Sequence, residues 1–259
     1  MRKNLLGLGV LGFVLFILVA AARRPHQHNN SSTHAFKALS TTDSIYNCYV
    51  NQLYVELGLQ EAGLSLPVFE KAVTGFYNLK QLGFVSRKSI ISIADFDQLS
   101  TKKRLYIIDL DKKALLLNTW VAHGQNSGWN EATKFSNVSQ SLSSSLGFYV
   151  TGEVYRGIHG KSLKLDGMDE GFNSNARSRA IVVHGAPYVS TGTIKALGRL
   201  GRSQGCPAVA PALADKVINT IEEKTVLFIH KSVDNYQSKY LNETLAANFA
   251  VDMNNNAMD

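Results

Sequence analysis

Residues 89–124, SIISIADFDQLSTKKRLYIIDLDKKALLLNTWVAHG, decide the fold class. They contain three runs in which apolar residues alternate with polar ones or follow one another: SIISIADF (89–96), KRLYIIDLD (103–111) and KALLLNTWVAHG (113–124). Such runs are typical of β-strands, and residues 109–113 have the composition of a turn between the last two. The sequence therefore predicts a β-sheet that begins near residue 89.

Further β-rich runs follow along the chain. They are LGFYVTGEVY (146–155), SLKLDG (162–167), RAIVVHG (179–185) and TVLFIH (225–230), and a helix is predicted at 212–222, before the last of them. Two helices are predicted in front of the sheet. The first follows the capping candidates Thr42 and Asp43, with Cys48 as a small buried hydrophobe, and the second begins at Ser65 with Pro67 in its first turn. We expect a mainly β fold, either a β-sandwich or a single sheet, with two N-terminal helices and one helix after the second cysteine.

The N-terminal region has the pattern of an export signal. Residues 1–22 combine a basic start with an apolar run that ends in small residues, which is typical of a signal peptide. The run is also near the lower length limit of a spanning helix, and Arg23 and Arg24 are unusual beside a cleavage site, so an uncleaved membrane anchor is the alternative. In both cases we expect the rest of the chain in the periplasm or cell envelope, anchored to the inner membrane only if the segment is uncleaved.

The remaining organisation follows from composition. Residues 23–42 are rich in Ser, Thr, Asn and His and are predicted to be a polar linker. A single folded domain is expected at 43–231. Residues 232–259 are predicted to be a polar, disordered tail whose removal is tolerated.

Charge and cysteine content exclude several classes of protein. Four of the basic residues lie within the first 24 positions, and without them the net charge of +7 falls to +3. No basic stripe with interleaved aromatic residues remains, which argues against a nucleic-acid partner. Two cysteines, Cys48 and Cys206, cannot form a disulfide framework, so the fold must be stabilised by burial of apolar side chains.

The turn GRLGRSQGCPAVAP (198–211) places Cys206 between a glycine and a proline, a poor setting for core filling. A thiol becomes a nucleophile as its thiolate, which a nearby base and positive charge favour. Arg199 and Arg202 are candidates for that charge, and Gly205 allows a sharp turn. We expect the backbone N–H groups of Gly205 and Cys206 to stabilise an oxyanion. The alternative is a structural thiol.

Three histidines are candidates for partners of this cysteine. His184 ends the apolar run IVVHG and is the candidate general base, the alternative being a histidine that is satisfied by hydrogen bonds. For His159 in GIHGKSL, an orienting role and a position at the sheet edge are equally supported. For His123 in VAHGQNSG the structural interpretation is favoured.

These segments together resemble the murein L,D-transpeptidase catalytic-domain family, relatives of the YkuD-type cysteine transpeptidases that remodel bacterial peptidoglycan. The similarity extends over about residues 44–230 through IADFDQLSTKKRLYIIDL, VAHGQNSG, FSNVSQSLSSSLGFYVT, YRGIHGKSLKLDGMDEGFN, ARSRAIVVHGAPYVS and GRSQGCPA. It implies a mainly β catalytic fold and a thiolate that attacks the carbonyl of an L-centre next to a D-residue. By the same resemblance, Cys206 is the nucleophile, His184 the base and Ser203 the small hydroxyl residue of the turn.

The turn departs from the wider superfamily at one position. The common pattern Ser/Thr-His-Gly-Cys is replaced by Ser203-Gln204-Gly205-Cys206. Gln204 cannot transfer a proton, although it can donate a hydrogen bond.

The substrate implied by the resemblance is a peptidoglycan stem peptide, which carries free carboxylates. Arg199 and Arg202 are therefore candidate clamps for those carboxylates, with a solvated charge or a structural pair as the alternative. Tyr149 in LGFYVT is a candidate for lining the substrate groove, although an aromatic residue on a strand more often packs in the core. The reaction needs no metal and no cofactor, and the histidine spacing has no zinc signature.

Three functions are compatible with the sequence. The first is an L,D-transpeptidase that transfers the acyl group to an amine. The second is an L,D-carboxypeptidase or endopeptidase in which water takes that group. The third is a non-catalytic cell-wall-binding module, against which the complete turn RSQGCP argues.

Overall fold

The computed structural model describes residues 41–256, with side chains for residues 44–250. The predicted signal peptide or anchor (1–22) and nearly all of the predicted linker (23–42) lie outside the described residues. In the part of the chain that is described, no helix is both long and apolar enough to cross a membrane.

Helices and strands follow one another in an order close to the predicted one. The helices are α1 (Thr41–Glu56), α2 (Leu66–Gln81), α3 (Thr191–Leu197), α4 (Pro211–Ile221) and α5 (Glu243–Asn256), with a short 3-10 helix at Lys239–Leu241. The strands are β1 (Ile90–Asp95), β2 (Leu105–Asp109), β3 (Ala114–Thr119), β4 (Gly147–Gly157), β5 (Gly160–Gly167), β6 (Val182–Gly185), β7 (Ala208–Val209) and β8 (Val226–His230). Two short elements, α3 and β7, and the elements after β8 were not predicted.

All eight strands form one sheet, in the order β3-β2-β1-β8-β4-β5-β6-β7. Neighbouring strands are antiparallel except for two parallel pairs, β1 with β8 and β6 with β7. The predicted turn after β2 is present, and its Asp109 carboxylate accepts a hydrogen bond from the amide of Lys112 at 2.9 Å. The mainly β prediction is confirmed, and of the two predicted arrangements the structure has the single sheet.

The sheet is covered on both faces, which explains why its central strands are apolar at nearly every position. Successive side chains of a strand point to opposite faces. Ile91 and Ile93 of β1 therefore pack with α1 and α2, whereas Ile90 and Ala94 pack on the face that α4 covers. The sheet thus separates two hydrophobic cores.

Helix α2 approaches the sheet closely at a single glycine. A Cβ atom at Gly75 would lie 2.0 Å from the ring of Phe148 on β4. That ring stacks on Phe228 of β8 with centroids 4.3 Å apart. The absent side chain at Gly75 thus allows an aromatic pair of the sheet to pack directly against the helix.

The first predicted helix is present, and Cys48 is not part of its buried face. The buried positions of α1 include Tyr46, Val50 and Leu53, which follow the helical spacing of three or four residues. Cys48 lies off that face and is exposed, so the prediction that it is a buried hydrophobe is wrong. Cys48 and Cys206 are both free thiols.

The prediction of a disordered tail after residue 231 is also wrong. The tail is anchored to Asp169, a buried carboxylate that accepts hydrogen bonds from Tyr236 at 2.8 Å and Ser238 at 2.5 Å. Asn78 of α2 donates to the carbonyl oxygens of Tyr240 and Asn242 at 2.7 and 2.9 Å. Helix α5 then contributes alanines to the core beside α1 and α2. Alanine is only weakly hydrophobic, so buried alanines give little indication of a core helix. The polar residues between them give the segment the composition of a disordered tail.

Replacing Tyr240 with alanine tests whether the tail belongs to the folded domain. Its side chain is 2% exposed and contacts Phe148 edge to face at 6.3 Å. We expect Tyr240→Ala to lower the free energy of unfolding by about 3–5 kcal/mol, as for other buried aromatic side chains. Urea denaturation followed by circular dichroism measures this loss. Leu245→Ala, at a position that is 49% exposed, is the control and should change stability by less than about 1 kcal/mol.

Candidate active site

A cleft of about 640 Å³ contains most of the predicted site residues. It lies beside the end of the β4–β5 hairpin, strand β6 and the turn before β7. Six of the nine predicted residues line it: Cys206, His184, Ser203, Gln204, Arg202 and His159. The other three, Gly205, Arg199 and Tyr149, do not.

The sulfur of Cys206 is held against the backbone that enters β6. It accepts a hydrogen bond from the amide of Val182 at 3.5 Å, and its thiol donates to the carbonyl oxygen of Ala180 at 3.7 Å. Burial raises the pKa of the Cys206 thiol, and the Val182 amide and the charge of Arg179 oppose that rise. The resting cysteine is therefore a neutral thiol.

The turn before Cys206 is closed by Ser203. Its hydroxyl accepts a hydrogen bond from the amide of Gly205 at 3.0 Å and donates to the carbonyl oxygen of Cys206 at 2.6 Å. Gly205 has φ +123°, and a Cβ atom there would lie 2.7 Å from the carbonyl oxygen of Ser143, so only glycine fits. Because its amide is bonded to Ser203, the expectation that Gly205 donates to an oxyanion is not met. The role of Gly205 is to shape the turn.

His184 is brought beside the cysteine by the parallel pairing of β6 and β7. His184 lies opposite Ala208, two residues after Cys206. The amide that contacts the sulfur belongs to Val182, which precedes His184 by two positions on the same strand. Thiol and imidazole both line the cleft, and the hydrogen bonds of the sulfur go to the backbone and not to the ring.

The hydrogen bonding of His184 leaves one ring nitrogen free. Nδ1 lies 3.0 Å from the carbonyl oxygen of Gly185, which can only accept, so Nδ1 carries the proton and Nε2 has a free lone pair. Burial lowers the pKa of His184, and His159 lowers it further. The two rings stack with centroids 4.2 Å apart and planes 25° from parallel. His184 is thus a neutral imidazole with an unprotonated nitrogen.

Sequence analysis missed Arg179, a cation in the same cleft as the cysteine. Arg179 lines the cleft, and its guanidinium donates to the carbonyl oxygens of Ser136 and Ser143, both at 2.7 Å, and to the hydroxyls of Ser141 and Ser145, both at 3.1 Å. All four acceptors are neutral, so no carboxylate offsets its charge. The sequence context does not distinguish Arg179 from its neighbour Arg177, which lies at the surface and is paired with Glu153 and Asp166.

The two arginines named from sequence have different positions. Arg202 lines the cleft and donates through Nη1 to the carbonyl oxygens of Gln125 and Gly128 at 2.9 and 2.8 Å. Arg199 is buried, donates to the carbonyl oxygen of Leu200 at 2.6 Å and lies 3.8 Å from the ring centroid of Trp129. Arg199 therefore has a structural role, which was the alternative to its prediction as a clamp. Arg202 remains a candidate clamp for a substrate carboxylate.

Tyr149 packs in the core and does not line the groove. Its side chain is fully buried, and its hydroxyl bonds to the hydroxyl and the carbonyl oxygen of Ser145 at 2.7 and 2.9 Å. The packing interpretation of this residue is therefore the correct one. Tyr155 and Tyr188 are the aromatic residues at the cleft.

The charge of the cleft favours an anionic ligand. Among the described residues that line it, none is aspartate or glutamate, whereas Arg179 and Arg202 are both present. A concave surface with unpaired cations attracts carboxylates and phosphates.

One group of side chains in the described residues has the spacing of a metal site. Asp95, Asp97 and His230 have ligand atoms within 4.8 Å of one another. The Asp97 carboxylate already accepts hydrogen bonds from the amide and hydroxyl of Ser232, and Lys231 lies 3.3 Å away. The group therefore forms an ion-pair network that joins the ends of β1 and β8, and none of its members lines the cleft.

Comparison with known proteins gives the family. A family model described as the L,D-transpeptidase catalytic domain matches residues 60–230. Comparison with curated proteins finds no match.

Solved structures similar to this chain share little sequence with it. Pgp2, a helical cell shape determining protein from Campylobacter jejuni, is 14% identical over 69% of this chain and 63% of that chain, with a TM-score of 0.40. An L,D-transpeptidase from Mycobacterium smegmatis is 11% identical over 56% and 59%, with a TM-score of 0.35. One from Mycobacterium tuberculosis H37Rv is 14% identical over 56% and 58%, with a TM-score of 0.33. The matched region is about three fifths of the length of these proteins.

The family model spans more than half of the chain and includes the cysteine turn and β6. The protein therefore belongs to the L,D-transpeptidase catalytic domain family.

Proposed function

We propose that this protein is an exported, cysteine-dependent L,D-transpeptidase that acts on peptidoglycan stem peptides. The observation that carries the proposal is the placement of Cys206 and His184 in one cleft, whose described lining residues include two arginines and neither aspartate nor glutamate. A stem peptide carries free carboxylates, so the charge of the cleft is complementary to this substrate. Arg202, which retains unused donors, is the candidate clamp for one of those carboxylates.

The first half of the reaction forms a thioester. The Cys206 thiol turns from the Val182 amide towards His184, and Nε2 of the imidazole takes its proton as the sulfur attacks the carbonyl carbon of the L-centre. The amide of Cys206 is the candidate donor to the resulting oxyanion, since that of Gly205 is bonded to Ser203. The tetrahedral intermediate collapses, and the imidazolium returns the proton to the nitrogen of the departing D-residue.

The second half transfers the acyl group. The amine of a second stem peptide attacks the thioester, and His184 accepts a proton from that amine. The sulfur leaves as the new amide bond forms and takes the proton back from His184, which restores the neutral thiol and imidazole. His159 stacks on His184 and is proposed to hold the ring in place. Gln204, exposed at the mouth of the cleft, is proposed to donate a hydrogen bond to the bound peptide.

The location follows from the substrate. Peptidoglycan lies outside the cytoplasmic membrane, so an enzyme of this family has to leave the cytoplasm to reach it. The basic and apolar N-terminal pattern supports export through a signal peptide or anchor.

Acylation by a carbapenem tests the roles of cysteine and histidine. The strained β-lactam carbonyl is an acyl donor for the same nucleophile, so imipenem should add to Cys206 and not to Cys206→Ser. We expect His184→Ala to slow adduct formation by about 10²-fold or more, the usual contribution of a general base. Intact-protein mass spectrometry over time gives the rates.

His159→Ala is the matched control, because it removes the stacked ring and leaves His184 in place. It should slow acylation much less than His184→Ala. If His184→Ala is acylated at the wild-type rate while His159→Ala is inactive, the base is His159 and the assignment is reversed.

Arg179→Gln tests whether a cation sets the reactivity of the thiol. Its charge opposes the burial that raises the pKa of Cys206, so its loss should raise that pKa further. Alkylation by iodoacetamide follows the thiolate fraction. The pH profile of Arg179→Gln should therefore shift to higher pH, with a slower rate below the midpoint and an unchanged plateau above it.

Arg177→Gln removes a surface guanidinium two residues away and is the control, for which the profile should stay at the wild-type position. Arg179→Lys should lie between the wild type and Arg179→Gln. An Arg179→Gln profile that coincides with the wild type would show that the charge does not act on the thiol.

A further inference from the structure

Arg104 is completely buried and is hydrogen-bonded to the loop that contacts the cysteine turn. Its side chain is 0% exposed. Nε and Nη2 both donate to the carbonyl oxygen of Val121, at 3.1 and 3.0 Å, and Nη1 donates to that of Gln98 at 2.8 Å. Nη2 also lies 2.7 Å from Nδ1 of His123, and the guanidinium lies 4.5 Å from the ring centroid of Phe96. None of these partners is a carboxylate.

The contact with Arg104 determines the tautomer of His123. A guanidinium only donates, so Nδ1 of His123 accepts and the proton is on Nε2. Burial and the charge of Arg104 lower the pKa of His123 to about 3, which keeps the ring neutral near pH 7. His123 is 1% exposed, and its Nε2 has no hydrogen-bond partner in the described structure. Arg104 thus makes the side-chain contact that fixes the tautomer of the ring, and the backbone of Gly128 and Trp129 also acts on it.

The segment that Arg104 holds, residues 121–125, contacts both sides of the cysteine turn. Before the cysteine, the amide of Ser203 donates to the carbonyl oxygen of His123 at 3.0 Å, and that of Gln125 donates to the carbonyl oxygen of Ser203 at 2.8 Å. After the cysteine, the amide of Ala122 donates to the carbonyl oxygen of Ala208 at 2.8 Å. The segment therefore spans the turn from Ser203 to Ala208.

A second link runs through Ser144. Its hydroxyl accepts a hydrogen bond from the amide of Gly124 at 3.0 Å and donates to the carbonyl oxygen of Gly205 at 3.2 Å. A displacement of Gly124 is thus passed to the peptide bond between Gly205 and Cys206, which carries the candidate oxyanion donor.

We propose that Arg104 and His123 are a positioning pair, in which the buried guanidinium grips the Val121 carbonyl and the His123 ring and thereby aims the Cys206 amide at the oxyanion. This inference rests on the proposed transpeptidase function. Neither residue lines the cleft, so both act through the segment 121–125. A buried cation whose hydrogen bonds all go to neutral acceptors carries a desolvation penalty of several kcal/mol, which packing alone does not require. Arginine suits the role because its rigid planar fork reaches several acceptors at once.

Two substitutions of His123 separate positioning from packing. His123→Leu keeps a side chain of similar size but removes the acceptor for Arg104. His123→Asn restores an acceptor near the position of Nδ1, because its amide oxygen is the same number of bonds from Cα. Arg104→Met removes the guanidinium, and Lys103→Met, at the exposed neighbouring position, is its control.

Three rates are compared in full-length variants that retain the wild-type circular dichroism spectrum. Iodoacetamide alkylation at high pH requires only the thiolate, imipenem acylation also requires the oxyanion donor, and amide hydrogen exchange reports the turn directly. We expect His123→Leu to be alkylated at the wild-type plateau rate but acylated at least about tenfold more slowly, since an error of about 1 Å in reacting geometry can cost about 10²-fold. Hydrogen exchange of the amides of residues 203–206 should be faster in His123→Leu. His123→Asn should restore most of the acylation rate and most of the protection from exchange. The midpoint of the acylation pH profile should not move, because His123 stays neutral.

Each other result overturns the proposal. Equal acylation and equal turn exchange in His123→Leu and wild type would show that the pair does not hold the turn. A parallel fall in alkylation and acylation, or a shifted midpoint, would show that the pair acts on the thiol instead. If the wild type is not acylated, the proposed function is wrong. Hydrogen exchange of the turn amides then tests by itself whether Arg104 and His123 hold the turn. If Arg104→Met does not fold, the two His123 variants still give the answer.

Discussion

The pairing of two short strands is the constraint on which the site depends. Strand β7 has only two residues, and its parallel register with β6 places His184 opposite Ala208. This register brings the thiol of Cys206 to the backbone of β6 at Val182, two residues before His184. A shift of one residue would turn His184 to the other face of the sheet. Strand β6 has little freedom to shift, because Val183 is buried in the core that α4 covers.

The electrostatics of the site follow from burial. The thiol and the imidazole are each shifted towards their neutral forms, so the resting pair carries no charge. The positive charge comes from Arg179, which is bonded to serine hydroxyls and backbone carbonyls. Since no carboxylate neutralises it, its field remains available to a developing thiolate or an anionic substrate. Arg104 resembles Arg179 in this respect, because its buried guanidinium donates hydrogen bonds only to neutral acceptors.

Much of the fold could be predicted because strands and helices have strong local patterns. The apolar runs of β1, β2 and β8 identified the sheet, and a cysteine between glycine and proline identified the turn. What could not be predicted depends on contacts between distant segments. Arg179 is indistinguishable in sequence from Arg177, and only the fold brings the serine-rich loop around one of them. The folded tail could not be predicted for the same reason, because its alanines are buried only through contact with α1 and α2.

The central claim is that Cys206 carries the acyl group of a stem peptide between donor and acceptor. Mass spectrometry of wild type and Cys206→Ser incubated with purified peptidoglycan stem-peptide fragments tests it most directly. The account predicts a stem-peptide acyl adduct on Cys206 and cross-linked fragments in the wild type only. Fragments trimmed by water without any cross-linked product, or cross-linking that persists in Cys206→Ser, would contradict it.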